Sequence, residues 1–414
     1  LSYKTLLMRF YFETYGCTTN RADSDVMRGV VRDNGHEVVE DIEDADTAVL
    51  NTCIVIAKTE NRMFRRIKEL SDRDAGLVVA GCLSATAEDR IKEVDEKITI
   101  IRPEEPGRIA EIFEGEVLEK YRAPHSLEGK IGRVQIAEGC KGNCSYCITK
   151  YARGRLESFP ISSIIDSVIS LVDRGVREIR LTAQDTGVYG RDRDTDLAEL
   201  LSEIGNIDGD FRVRVGMMNP MMSMDTFERV LEVMDSERFY SFLHIPVQSG
   251  SERVLERMRR GYSPDKFRRM AEMAREKLGA TVSTDVIPGF PGEDEDEFRK
   301  TVELLDEVRP DIINITRYSP RPGTDAEKMD APASNPVKRR SKRLTELRNR
   351  ICGGIRRAME GEERQVTVME KGKEGSVIAR DRFYNPVVIK DELDVGTDMT
   401  VRITKGKWSY LIGK

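Results

Sequence analysis

Apolar positions along the first hundred residues alternate between two patterns. Short apolar runs at Leu7–Glu13, Thr47–Leu50 and Leu77–Ala80 read as strands. Between them, Arg21–Asp33, Thr59–Ser71 and Glu88–Val94 show the spacing of amphipathic helices. Strands separated by helices predict a parallel sheet covered by helices. The alternation resumes at longer period, with strands predicted at Gly132–Ala137, Glu178–Thr182, Arg212–Val215, Ser241–His244, Thr281–Val286 and Ile312–Thr316. Helical patterns at Ile161–Asp173, Thr226–Met234, Pro264–Lys277 and Glu295–Val308 fall between them. Six such units predict a full or partial (β/α) barrel, with its chemistry at the strand carboxyl ends.

A Pro/Ser/Asn break at Ala331–Pro336 precedes a basic helical stretch, Val337–Met359. Five short segments follow, Val366–Lys371, Gly375–Arg380, Pro386–Ile389, Thr400–Thr404 and Trp408–Ile412. Separated by Gly, Asn and Asp turns, they predict a small β-barrel. The fold class is therefore α/β with an all-β end, divided at 1–125, 126–357 and 358–414.

A length of 414 residues fits that multi-domain reading. No apolar run reaches the ~20 residues of a membrane span, and Leu1-Ser-Tyr-Lys lacks the features of a secretion signal, so a cytoplasmic protein is expected. The net charge of −6 conceals an asymmetry: residues 338–414 carry a net +8 and the first 337 a net −14. A basic tail of this kind suits phosphate contact, with Arg339, Arg340, Lys342 and Arg343 as candidates. Solitary Trp408 is equally suited to core packing and to base stacking.

Seven cysteines accompany only three histidines, and an odd count without a secretion signal favours metal or redox chemistry over disulfides. Cys140, Cys144 and Cys147 lie within eight residues, just after a predicted strand. Clustered thiolates suit an iron–sulfur cluster or zinc, and three ligands leave one coordination site open. Cys17, Cys53 and Cys82 each follow one of the three early strands, so the edge of a parallel sheet would bring them together. Cys352 reads as a packed thiol.

Cys140-x3-Cys144-x2-Cys147, with Tyr146 before the last cysteine, resembles the radical S-adenosylmethionine (SAM) motif. Thr14-Tyr15-Gly16-Cys17, Asn51-Thr52-Cys53 and Gly81-Cys82 are similar to motifs of the methylthiotransferases. So are His244–Ser251, Asp285–Glu293 and Tyr318–Thr324, and the basic terminal barrel resembles the RNA-binding TRAM domain. The resemblance implies a partial (β/α)6 barrel holding a [4Fe–4S] cluster on Cys140, Cys144 and Cys147. It implies a second [4Fe–4S] cluster on Cys17, Cys53 and Cys82. Two SAM molecules per turnover are implied, one as the source of a 5′-deoxyadenosyl radical and one as the methyl donor to sulfur held at the second cluster. No side chain is cast as an acid or base, since the cofactors carry the reaction.

Candidate SAM-binding residues at the barrel rim are Tyr146, Gln184, Asp185, Gln248, Ser249, Pro288 and Gly289. At Thr182-Ala183-Gln184-Asp185 the chain departs from the Gly-Gly-Glu found in many radical SAM enzymes. His244 reads as a core histidine. Arg153–Ser158, Leu181–Asp192 and Gly216–Pro220 look most like the archaeal and eukaryotic branch acting on N6-threonylcarbamoyladenosine at position 37 of tRNA. Arg153 or Arg155 would then meet the threonylcarbamoyl carboxylate. The expected partners are tRNA, a flavodoxin- or ferredoxin-like one-electron donor and a sulfur donor, acting on a monomer with no membrane contact. Alternatives are action on isopentenyladenosine tRNA, action on a ribosomal-protein aspartate, or a non-catalytic iron–sulfur RNA-binding protein.

Overall fold

The computed structural model describes residues 7–330 and 332–414. The opening Leu1-Ser-Tyr-Lys and Ala331, the first residue of the expected break, lie outside them. Five parallel strands form the first sheet: β1 (Arg9–Thr14), β2 (Glu37–Val39), β3 (Thr47–Thr52), β4 (Gly76–Gly81) and β5 (Thr99–Ile101), in the order β2-β1-β3-β4-β5. Central β3 is buried at every position, which explains its nearly continuous apolar run. Edge strands β2 and β5 are short and only partly buried, and the sequence pattern missed both.

Next come β6 (Ile131–Gln135), β7 (Ala137–Glu138), β8 (Glu157–Ser158), β9 (Glu178–Thr182), β10 (Arg212–Arg214), β11 (Phe242–His244), β12 (Thr281–Val286) and β13 (Ile312–Ile315). β6, β9 and β10 form one parallel sheet and β11, β12 and β13 another. Parallel bridges Val213–Phe239 and Met217–His244 join them into a six-stranded partial barrel. Ile179, Leu181, Val213, Val215, Leu243, Val282 and Ile313 belong to the large core under the helices. Intervening positions such as Glu178, Arg180 and Thr182 point the other way, so the interior of the barrel is polar. β7 and β8 pair antiparallel, and the loop they enclose carries Cys140, Cys144 and Cys147.

The basic helix spans Ser334–Ala358, beginning three residues before its expected start at Val337. Pro336 falls in its first turn, where a missing N–H costs no hydrogen bond. The closed terminal barrel comprises β14 (Glu363–Lys371), β15 (Val377–Asp381), β16 (Pro386–Ile389), β17 (Asp398–Gly406) and β18 (Leu411–Gly413). Its β15–β16 turn inserts Tyr384 between Tyr240 and Phe242, at ring distances of 4.9 and 5.0 Å, and the Tyr384 hydroxyl donates to buried Glu178 at 3.1 Å. The terminal barrel is thus seated on the amino ends of the central strands, away from their carboxyl ends.

Candidate active site between two cysteine triplets

The three early cysteines meet because each ends a neighbouring strand. Cys17 precedes the helix Thr18–Asp33, Cys53 follows β3, and Cys82 opens the short helix Cys82–Thr86. Asn20 pins the loops together. Its amide donates to the carbonyls of Tyr15 (3.1 Å) and Thr52 (2.7 Å), while its Oδ1 lies 3.6 Å from Cys17 Sγ and 3.7 Å from Cys82 Sγ. Asn51 donates back to the Asn20 carbonyl at 2.7 Å. Gly81 turns at φ +86°, and a Cβ there would stand 2.2 Å from Asn51 Oδ1, so no other residue fits ahead of Cys82.

A buried charge network joins this triplet to the barrel. Arg153, five residues after Ile148 in the cysteine loop, donates through Nε to Cys82 Sγ at 3.4 Å. Its other nitrogens reach Glu138 Oε1 (2.9 Å), Asn20 Oδ1 (3.1 Å) and Asp23 Oδ2 (2.6 Å). Lys120 pairs with the same two acids at 2.5 Å each and donates to the Pro103 carbonyl at 2.8 Å. Two cations and two anions balance within a space closed to water, the condition under which buried charge is tolerated. Further contacts hold the domains together: Arg133 bonds Asp25 at 2.9 Å, Thr19 bonds Thr182 at 2.9 Å, and Arg321 pairs with Glu60. Since Thr182 ends β9 and Arg321 follows β13, the first domain spans both sides of the barrel mouth.

Within the second triplet, Cys140 Sγ accepts from the Gly142 N–H at 3.2 Å, and Arg260 donates to Cys144 Sγ at 3.2 Å. Gly139 (φ +68°) lets the loop pass the Arg155 carbonyl, which a Cβ would meet at 2.0 Å. Burial, with the nearby charge of Asp185, pushes the Cys140 thiol up to about 12, and burial pushes Cys82 up to about 11. Such thiols give up their protons only to a compensating positive charge, as metal binding supplies. Three soft thiolates, with one coordination position left over, fit a [4Fe–4S] cluster better than the closed four-ligand set of structural zinc.

Around this loop the barrel rim holds polar atoms without protein partners. Arg260 is buried, bonds Cys144 and Tyr262, and leaves its second terminal nitrogen unsatisfied. Gln184 Oε1 and Gln248 Oε1 are also buried and unpaired, and Gln248 sits at φ +66°. Buried polar atoms without partners are rare in native proteins, and these suit a zwitterionic, hydrogen-bonding ligand such as SAM. Neither composition nor spacing singled out Arg260; its signal is the orphaned nitrogen, visible only in three dimensions.

Other expected residues take different places. Asp185 is buried and accepts the N–H groups of Gly187 and Asn219, both at 3.0 Å, while burial raises its carboxyl above the ordinary range. Tyr146 packs edge-on to Phe290 at 6.1 Å. Ser249 is occupied by Thr301 and the Ser251 N–H, and Pro288–Gly289 is a buried turn held by Glu293 and Val337. These three positions shape the rim without presenting free polar groups. His244 is half-buried and bonds Asp285 at 2.9 Å, which also accepts from Asn314 at 2.9 Å.

Two expectations for cations are corrected. Arg153 is committed to the internal network, so its guanidinium is not free for a substrate carboxylate, whereas Arg155 is exposed in a cleft with Cys140. Arg340 is buried against Glu293 at 3.0 Å and cannot serve as a surface phosphate contact, because the helix turns it toward the barrel. Arg339, Lys342 and Arg343 remain exposed. Trp408 is outside the terminal core, 45% exposed, with Arg348 stacked 3.8 Å from its ring centre. Cys352 is buried, near the Pro310 carbonyl at 3.6 Å.

A cysteine loop at the end of the first barrel strand defines the class: residues 134–305 match the radical SAM superfamily. Residues 9–102 match the uncharacterized protein family UPF0004, and residues 357–414 match the TRAM domain. Solved structures share the fold, including the radical S-adenosylmethionine methyltransferase TsrM from Kitasatospora setae (TM-score 0.58, 16% identity, 78% of this chain and 77% of that one). An Archaeoglobus fulgidus protein named "Probable threonylcarbamoyladenosine tRNA methylthiotransferase" is 39% identical, covering 98% of both chains. The Homo sapiens threonylcarbamoyladenosine tRNA methylthiotransferase is 32% identical over 99% of this chain and 74% of its own length. The chain belongs to the threonylcarbamoyladenosine tRNA methylthiotransferase family.

Proposed function

We propose that this protein transfers a methylthio group to carbon 2 of N6-threonylcarbamoyladenosine at position 37 of tRNA. The observation that carries the reading is Arg153, which ties Cys82 of one triplet to the loop bearing the other. It supports two [4Fe–4S] clusters facing one substrate, the first on Cys140, Cys144 and Cys147 and the second on Cys17, Cys53 and Cys82. When bound, the clusters and two SAM molecules per turnover supply the radical, the sulfur attachment point and the methyl group.

The chain's own residues bind and orient. Gln184, Gln248 and Arg260 would hold the polar groups of SAM beside Cys144, with Tyr146 and Asp185 completing the wall. Arg155, at the open rim, would meet the threonylcarbamoyl carboxylate. The balanced Arg153–Asp23–Glu138–Lys120 network keeps water from the space between the triplets and fixes their separation. Domains at 1–125, 126–357 and 358–414 divide the labour among the second cluster, the SAM site and RNA contact. A flavodoxin- or ferredoxin-like electron donor, a sulfur donor, a monomeric state and a cytoplasmic location complete the reading.

Nucleoside mass spectrometry of tRNA from cells with and without the gene tests it. Loss of the methylthio mark on threonylcarbamoyladenosine is expected; an unchanged tRNA profile would rule the substrate out.

A further inference from the structure

Beside Cys140 lies a cleft of about 690 Å³, lined by Lys141, Asn143, Lys150, Tyr151, Arg155 and Arg191. Among the described residues Lys141, Lys150 and Arg191 make no ion pair with a carboxylate, so three cations along this wall are free to meet an anion. Lys150 donates to Asn143 Oδ1 at 2.8 Å, and Arg191 reaches only the Met221 carbonyl at 3.3 Å. Asp192, the one acid in the wall, is turned to Ser158, accepting its N–H at 2.8 Å and its hydroxyl at 2.5 Å.

The aromatic ring of the cleft is equally unspent. Tyr151 is 48% exposed, and its described hydrogen bonds are made by the backbone. It stands on the short helix Thr149–Arg153, whose last residue is anchored in the buried network, so the ring is carried on a rigid base. The Lys150 ammonium lies 5.0 Å from the ring centre. An exposed aromatic face surrounded by unpaired cations is what single-stranded nucleic acid recognition requires, because every base offers a π-face and every linkage a charge.

We propose that this cleft grips the RNA strand next to the target nucleoside, with Tyr151 stacking on one flanking base and Lys141, Lys150 and Arg191 meeting backbone phosphates. The inference rests on the tRNA reading and adds where the loop strand lies. Adjacency to Cys140 sets its use: a strand held there delivers the neighbouring nucleoside to the barrel mouth.

The test is tRNA binding to the full chain with reconstituted clusters, followed by fluorescence anisotropy across a salt series. Tyr151→Ala should weaken binding about tenfold, and Tyr151→Phe should stay within about twofold of the parent. Lys141→Ala and Arg191→Ala should each lower the slope of log affinity against log salt by about 0.7. Equal iron content and melting temperature in all variants would separate these effects from misfolding. Parental affinity in Tyr151→Ala, with unchanged salt slopes, would overturn the proposal while leaving the tRNA reading intact. Weakened SAM binding with unchanged RNA binding would assign the cleft to the cofactor instead. Failure of the parent protein to bind tRNA would remove both readings.

Discussion

Arg153 Nε stands 3.4 Å from Cys82 Sγ, across the boundary between two domains that are 71 residues apart at this point in the chain. The same guanidinium binds Asp23 and Glu138, so one side chain bridges the two triplets. Arg153→Ala would leave two buried carboxylates facing Lys120 alone. Breaking a buried pair in this way costs about 3–5 kcal/mol. Arg153→Lys keeps the charge but loses the forked geometry, and a smaller loss is expected. Denaturant unfolding of both variants measures the difference; equal stability of Arg153→Ala and the parent would refute the bridging role.

The two triplets should be separable by chemistry. Replacing Cys17, Cys53 and Cys82 with Ala is expected to halve an iron content of about eight per chain while SAM cleavage to 5′-deoxyadenosine continues. Replacing Cys140, Cys144 and Cys147 should abolish that cleavage. Iron assay and product chromatography give the answer, and loss of cleavage in the first variant would contradict separate roles.

Arg260 has a free buried nitrogen beside Cys144, the basis of its proposed contact with SAM. A hydrogen bond to a charged group contributes about 1.5–3 kcal/mol, so Arg260→Gln should weaken SAM binding at least tenfold. Equilibrium dialysis with SAM checks this, and an unaltered affinity would return Arg260 to a purely structural role.

Glu297 holds the helix Glu252–Arg257, accepting from Arg253 and, at 3.2 Å, from Arg257. Burial acts to raise its carboxyl, but the Arg253 hydrogen bond, the Asp294 N–H and Arg257 outweigh it and bring it from 4.5 to about 2. The folded form therefore binds this proton more weakly than the unfolded chain. Its stabilisation is complete above about 4.5 and lost as pH falls toward about 2. The stability gap between the parent and Glu297→Gln should narrow over that window; a gap independent of pH would place the effect elsewhere.

Much of the architecture was legible in the residue pattern. Period-two and helical spacings revealed the central strands of the first sheet, all six barrel strands and the terminal barrel, because buried elements and their flanks repeat apolar positions. Strands β2 and β5 escaped, being partly exposed at the two edges of the first sheet. The cysteines were legible by type and spacing. What each cation faces was not: Arg153, Arg155, Arg339 and Arg340 look alike in sequence, yet two point inward and two outward.

By itself the sequence determined most of the elements, the charge asymmetry between body and tail, and the six cysteines that could hold clusters. Local spacing carries that information, since it reflects period, turn chemistry and ligand type. Only the tertiary structure decided which charges neutralise one another, which polar atoms are left without partners, and which arginine bridges the triplets. Those outcomes depend on burial and on contacts between distant segments, such as Asn20 with Thr52 and Arg153 with Asp23. Desolvation makes an unpaired charge costly in one place and harmless in another, and no local pattern records the difference.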